Sequence, residues 1–216
     1  MQNTNGKTYK MVVISLFTAI ICIMTFTPLG YVPCGLSELT LLMIPVAIGA
    51  VILGPKIGAI LGGVFGITSF LCCFGVGHPS AFGAFILAQN PLFTILICMV
   101  PRILVGFLTG LFANWLREKK SRAFQSVGYA IAGLIAALTN TVLFMGSVIL
   151  FFWNNDAFQS KMTEWGIPTD HILPFVVGFA GINALIEAGV CTAAVCAICN
   201  ALHSAGFLSA KKEKAA

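Results

Sequence analysis

Five long stretches of this chain contain no Asp, Glu, Lys or Arg. They are residues 11–37, 39–55, 57–101, 123–155 and 188–210. A helix that crosses a membrane needs about 20 mostly apolar residues, and most of these stretches can supply one. Over the whole chain 58% of the residues are hydrophobic and 9% are charged, whereas a soluble domain carries roughly 25% charged residues. The sequence therefore predicts an integral membrane protein with a single domain, residues 1–216.

The longest charge-free stretch must hold more than one helix. FGVGHPSAFG at 74–83 and QNP at 89–91 interrupt it, because glycine and proline break helices. An even number of spans would put both termini on one side of the membrane. We expect an all-α bundle of six transmembrane helices over residues 11–28, 37–54, 56–74, 92–116, 125–153 and 172–205.

Basic residues are concentrated in the flanks on one side of this predicted bundle. Ten lie on that side, and the opposite side holds only Lys161. Because cytoplasmic flanks carry the excess of Lys and Arg, we expect both termini to be cytoplasmic, in a prokaryotic plasma membrane. The loops 29–36, 75–91 and 154–171 would then lie outside and could cover a site that opens outward. The ten basic residues are Lys7, Lys10, Lys56, Arg117, Lys119, Lys120, Arg122, Lys211, Lys212 and Lys214.

Four polar side chains fall inside predicted spans: Arg102, Asn140, Asn183 and Glu187. A charge at the bilayer centre costs roughly 2.5–3.5 kcal/mol on insertion scales, so such residues face the bundle interior or a wet cavity. Two readings of Arg102 stay open. It pairs with Glu187 as a structural clamp, or its guanidinium binds an anionic ligand, a carboxylate above all. Pro101 would assist by freeing a helix carbonyl group and bending the helix.

Polar and aromatic residues of the predicted outer loops are further candidates. Tyr31 is either an aromatic residue of the membrane interface or part of the wall of a pocket. His78 and Asn90 are candidate ligand contacts, although His78 also suits an ordinary loop position. Glu38 is expected to cap the start of the second helix, where a negative charge favours the helix dipole.

Small residues recur at intervals of four on three predicted helices, which allows helix backbones to approach closely. On the first helix such a stripe could instead dock a partner helix. The residues are Ser15 and Ala19, then Gly58, Gly62 and Gly66, then Gly106 and Gly110.

Several function classes lack their motifs in this sequence. There is no G-x-x-x-x-G-K-[ST] loop and no HExxH, and the cysteines form no paired zinc-binding pattern. The short basic flanks do not form the interleaved basic face that binds nucleic acid. The sequence therefore predicts a membrane binding unit that is not an enzyme and has neither cofactor nor metal. The alternatives are an intramembrane enzyme that uses a cysteine or His78, and a small channel.

Two segments carry a resemblance to a known family. The stretch GYVPCGLSELTLLMIPVAIGAVILGPKIGAILGGVFGITSF at 30–70 and the stretch NPLFTILICMVPRILVGFLTGL at 90–111 resemble the substrate-specific subunit of energy-coupling factor (ECF) vitamin transporters. The resemblance extends over residues 11–202. LGPKIGAILG at 53–62 is typical of the family, and the NP…PRILVG segment is most similar to its pantothenate subfamily.

The resemblance implies a partner set and a site. The partners would be a small vitamin, a transmembrane coupling subunit and two cytoplasmic ATPases. The vitamin, pantothenate in the first instance, would bind near the outer face, with its carboxylate on Arg102 and its amide and hydroxyl groups on Asn140 and Asn183. The coupling subunit would dock on Ser15 and Ala19, where the family has two alanines, and the whole bundle would topple to release the vitamin inside. Folate and lipoate remain alternative ligands.

Overall fold

The structure, a computed structural model, describes residues 6–34, 37–117 and 121–206. Within these ranges the chain forms eight α-helices and one hairpin of two short strands. Five of the basic residues counted above, Lys119, Lys120, Lys211, Lys212 and Lys214, lie outside the described residues. In chain order the elements are α1 Gly6–Thr25, β1 Tyr31–Cys34, β2 Ser37–Thr40, α2 Met43–Leu53, α3 Pro55–Cys73, α4 Ala81–Gln89, α5 Pro91–Arg117, α6 Arg122–Phe152, α7 Asp156–Glu164 and α8 Ile172–Ser204.

Five of the described helices, α1, α3, α5, α6 and α8, are long and apolar enough to cross a membrane. This agrees with the predicted helical membrane protein. Helices α3, α5, α6 and α8 begin and end within three residues of the predicted segments. Helix α1 begins five residues before the start of its predicted segment and ends three residues before the end of that segment.

The predicted second span, residues 37–54, differs from the structure. Its first four residues form strand β2, which pairs antiparallel with β1 so that Tyr31 lies opposite Thr40. The helix that follows, α2, has only 11 residues. At about 1.5 Å per residue it spans roughly half of a 30 Å hydrocarbon layer. The prediction that Glu38 caps this helix is also wrong, because Glu38 lies in the strand, several residues before the helix begins.

Two of the predicted outer loops contain short helices, α4 and α7. Both begin at a polar side chain that accepts a hydrogen bond from a backbone amide of the first turn, which satisfies an otherwise unpaired donor. Ser80 Oγ accepts from the Gly83 amide at 3.2 Å, and Asn155 Oδ1 accepts from the Phe158 amide at 3.1 Å. These caps fix the residue at which each short helix begins.

The closest helix–helix contact is between α3 and α5, and the predicted packing of their glycines is confirmed. A Cβ atom on Gly58 would overlap the Gly106 carbonyl oxygen, and one on Gly62 would overlap the Arg102 carbonyl oxygen. Backbone therefore lies against backbone along this contact, which only residues without a side chain permit. The contact fixes the height of Arg102 relative to α3.

Buried apolar side chains form two clusters. The larger joins the long helices with α2 and includes Phe65 of α3 and Val105 of α5. The second is rich in aromatic residues and joins α4 and α7 to the neighbouring parts of α6 and α8. In it the Phe85 ring of α4 lies 6.2 Å from the Trp165 ring, which follows α7. The hairpin and the aromatic cluster enclose the site described next.

Candidate functional site

A cavity of about 900 Å³, including the space at its mouth, lies between the hairpin, α3, α4, α5, α6 and α8. Its lining is typical of small-molecule sites, which are concave, mostly apolar and carry few polar groups. The apolar walls include Phe82, Ile86, Phe144, Met145 and Phe179. The polar lining includes Tyr31, Thr40, Ser69, Arg102, Asn140, Thr141, Asn183 and Glu187.

Arg102 is the cation of this cavity, and its side chain is held from several directions. Only 6% of the residue is exposed. Its Nη1 donates to the Ile97 carbonyl oxygen at 2.8 Å, and the guanidinium carbon lies 4.9 Å from the Phe144 ring centre and 5.5 Å from that of Phe65. Aromatic faces at such distances attract a cation. The buried Nε has no hydrogen-bond partner among the described residues, which costs free energy that an acceptor from a ligand would recover.

Arg102 and Glu187 line the same cavity, but the structure does not show the ion pair that one of the two readings of Arg102 requires. No ion pair joins them in the part of the chain that the structure describes. Glu187 Oε1 instead accepts a hydrogen bond from the backbone amide of Thr40 at 2.6 Å. The carboxylate of α8 therefore holds strand β2 of the hairpin over the cavity, and among the described residues no carboxylate lies within ion-pair distance of Arg102.

The two asparagines that the sequence analysis selected both line the cavity, on α6 and α8. Asn140 is 6% exposed, and its Oδ1 has no hydrogen-bond partner among the described residues. Asn183 lies one helical turn before Glu187, so both face the cavity from the same side of α8. An amide group both donates and accepts hydrogen bonds, which suits a ligand with amide or hydroxyl groups.

Tyr31 brings a hydroxyl group from the hairpin into the cavity. The residue is 5% exposed, and its hydroxyl oxygen has no hydrogen-bond partner in the described structure, although Ser69 and Cys72 lie beside it. Burial raises the pKa of Tyr31, with a smaller opposing effect from Arg102. A tyrosine hydroxyl is protonated at neutral pH in any case, so this one is available as a donor.

His78 supports the hairpin from outside the cavity. Its ring stacks on Tyr31 with the centroids 5.6 Å apart, and its Nε2 lies 3.6 Å from Glu38 Oε1. Burial raises the pKa of Glu38, and the adjacent histidine acts in the opposite direction. The lining of the cavity includes Glu38 but not His78, so the structure places His78 against Tyr31 and outside the cavity lining.

Asn90 does not line the cavity. Its Oδ1 accepts hydrogen bonds from the amides of Leu92 at 3.1 Å and Phe93 at 3.3 Å. These are the first amides of α5, so Asn90 acts as the cap of that helix. The structure therefore shows a structural role for Asn90, and its role as a ligand contact stays a prediction.

Several lining residues were not selected from the sequence. Ser69 and Cys73 of α3 continue the glycine stripe of Gly62 and Gly66 at helical spacing, so the stripe itself indicated that they face α5. Cys73 Sγ lies 3.9 Å from Cys98 Sγ. The hairpin residue Thr40 gave no such signal, because its segment was assigned to a helix. No group of three or more His, Cys, Asp or Glu side chains suited to a metal ion occurs among the described residues.

The chain is similar to known transport proteins over most of its length. The family model described as "ECF transporter, substrate-specific component" matches residues 9–199. A pantothenate transporter PanT of Leuconostoc mesenteroides is 35% identical over 190 residues, which is 85% of this chain and 87% of that protein. A pantothenic acid transporter PanT of Lactococcus lactis is 31% identical over 192 residues, 86% of this chain and 85% of that protein.

Proposed function

Because this chain belongs to the family of substrate-specific components of ECF transporters, we propose that it binds pantothenate and presents it for import. Membership of the family makes it a transport component of a prokaryotic plasma membrane and not an enzyme. The observation that carries the proposal is Arg102, a buried cation that forms no ion pair in the described structure, on the wall of a cavity. The two pantothenate transporters similar to this chain support the choice of acid.

The chemistry of pantothenate matches the kinds of polar groups that line the cavity. The molecule has a carboxylate at one end, an amide in the middle and hydroxyl groups at the other end. Arg102 would bind the carboxylate, while Asn140 and Asn183 would bind the amide and hydroxyl groups. The Tyr31 hydroxyl supplies a further donor from the hairpin. The apolar walls would cover the gem-dimethyl carbon that lies between the hydroxyl-bearing carbons.

A direct test measures the thermal stability of the purified protein with each of pantothenate, folate and lipoate. A ligand at a hundred times its Kd stabilises the folded state by about 2.7 kcal/mol, so we expect pantothenate to raise Tm by about 5 °C or more. Folate and lipoate should leave Tm unchanged. Mass spectrometry of any ligand that copurifies provides an independent identification. A shift with folate or lipoate, and none with pantothenate, would contradict the proposed ligand.

We propose an orientation in which both termini are cytoplasmic and the hairpin end of the cavity faces outward. The ten basic residues in one set of flanks support it, because Lys and Arg accumulate on the cytoplasmic side. A vitamin would then reach Arg102 from outside the cell, past the hairpin and the short helices α4 and α7.

We further propose that α1 docks on a transmembrane coupling subunit that carries two cytoplasmic ATPases. Ser15 and Ala19 are both exposed, one turn apart on the same side of the helix. The Ser15 hydroxyl donates to the Met11 carbonyl oxygen at 2.9 Å, so the serine presents a small surface much as alanine would. Toppling of the bundle on that partner would deliver the bound vitamin to the cytoplasm.

Replacing Ala19 with tryptophan tests this docking face. We expect uptake of labelled pantothenate by cells that contain the coupling subunit and the ATPases to fall by at least about tenfold, which corresponds to ~1.4 kcal/mol of docking free energy. Pantothenate binding by the purified variant should be unchanged, since Ala19 is exposed and is not part of the cavity lining. Gly189→Trp is the matched control, because Gly189 is exposed on α8 with no neighbour near its Cβ position. Wild-type uptake by the Ala19→Trp variant would show that this face of α1 is not the docking surface for the coupling subunit.

A further inference from the structure

Pro101 lies inside helix α5, immediately before the arginine of the cavity. In a regular helix the amide of residue 101 would donate to the carbonyl oxygen of residue 97. Proline has no amide hydrogen, so the helix leaves the Ile97 carbonyl oxygen without its usual donor. In a membrane this deficit is costly, because there is no bulk water to replace the missing donor.

The Arg102 side chain fills the vacant position. Its Nη1 donates to the Ile97 oxygen at 2.8 Å. The same guanidinium lies between the rings of Phe65 and Phe144. The backbone carbonyl group of Arg102 packs against Gly62 of α3. One end of the guanidinium is thus attached to the helix, and the other donors are left for a partner from the cavity.

We propose that Pro101 is a positioning residue for ligand recognition: by withholding one amide hydrogen it creates the carbonyl acceptor that fixes the orientation of the Arg102 guanidinium. The proposal rests on the proposed function for its ligand, a carboxylic acid. An ordinary residue at 101 would donate to Ile97 itself. Nη1 would then share that acceptor with a backbone amide, which weakens its hold on the guanidinium, and the long arginine side chain would regain rotamers that do not face the ligand.

The informative variant is Pro101→Ala, which restores the backbone amide and changes little else. Alanine is the best helix former and proline the worst, so the variant should fold and should be at least as stable as the wild type. Pro174→Ala is the matched control. Pro174 is the third residue of α8, where no intrahelical hydrogen bond is lost, and it is exposed.

Two measurements separate positioning from a general structural effect. The first is the affinity for pantothenate and for panthenol, its neutral alcohol analogue, in which a hydroxymethyl group replaces the carboxylate. For Pro101→Ala we expect about a tenfold weaker Kd for pantothenate, the size of one charge-assisted hydrogen bond, and an unchanged Kd for panthenol. Pro174→Ala should keep both affinities.

The second measurement needs no ligand. The sequence contains three arginines, Arg102, Arg117 and Arg122, so the side-chain NMR spectrum of arginine-labelled protein is simple. We expect the guanidinium signal of Arg102, assigned with Arg102→Lys, to shift and to exchange faster with water in Pro101→Ala, and to stay unchanged in Pro174→Ala.

An unchanged Arg102 signal in Pro101→Ala would overturn the proposal, whatever affinities are measured for pantothenate and panthenol. A shifted signal with a wild-type ratio of pantothenate to panthenol affinity would also overturn it, because the orientation would then not serve recognition. If the wild-type protein binds neither compound, the proposed ligand fails and the recognition role falls with it, while the NMR signal still reports whether Pro101 orients the arginine.

Discussion

Arg102→Ala is expected to weaken pantothenate binding by at least about a hundredfold, because removing one partner of a buried, hydrogen-bonded charge pair costs 2–5 kcal/mol or more. The carboxylate would have to leave water for a cavity in which the structure shows no other lining Lys or Arg. Isothermal titration calorimetry of the purified variant measures the loss. The ligand-free variant should still fold, with a Tm modestly below that of the wild type, because the Ile97 carbonyl oxygen loses the donor that Arg102 supplies.

Two further variants make this result specific. Arg102→Lys keeps the charge but not the planar fork, so we expect an affinity between those of the wild type and Arg102→Ala. Arg122→Ala removes an exposed arginine whose Nη2 donates to Ser204 Oγ at 2.7 Å, at the opposite end of α8 from the cavity. It should bind pantothenate as the wild type does. If Arg102→Ala retains wild-type affinity, Arg102 does not contact the ligand.

Gly62→Val is expected to have the largest effect on stability. Its new side chain would overlap the Arg102 carbonyl oxygen and approach the Ile103 Cα atom, whose distance from the added Cβ would be 3.0 Å. Both are backbone atoms, which cannot rotate away, so α3 and α5 must separate. Overpacking typically costs 1–3 kcal/mol, and we expect Tm of the ligand-free protein to fall by about 5 °C or more.

Gly146→Val is the control for this prediction. Gly146 lies in α6 with nothing within 4 Å of its Cβ position, so the same change there should leave Tm within a degree or two of the wild type, about what an exposed substitution gives. We also expect Gly62→Val to weaken pantothenate binding, because moving α5 displaces Arg102. Equal thermal stability of the two variants would mean that the α3–α5 contact is looser than the structure has it.

The long helices could be predicted from the sequence because each is a continuous apolar stretch bounded by charges or by glycine and proline. The second segment could not. Ser37 to Thr40 reads as a polar start of an apolar helix, whereas in the structure it pairs with Tyr31–Cys34. A strand of four residues is too short for an alternating pattern to be distinguished from a helical one. Hairpin formation depends on the partner strand and on the cavity beneath it.

The principal polar residues of the site could also be predicted, since a buried charge or amide in an apolar helix needs a reason to be there. Arg102, Asn140, Asn183 and Glu187 do line one cavity. Their partners could not be predicted. Whether Glu187 meets a guanidinium or the Thr40 amide depends on the relative heights of α5, α8 and the hairpin, and no spacing within a single helix encodes these heights.

The hydrogen bond from the Thr40 amide to Glu187 Oε1, 2.6 Å long, ties the hairpin to α8. Strand β2 can therefore leave the cavity only by breaking this bond, which would leave an amide and a carboxylate oxygen without their partners. Because unpaired polar groups are costly away from water, the bond favours the arrangement in which the hairpin covers the cavity. If the vitamin enters past the hairpin, as proposed above, this single contact is one that its entry has to disrupt.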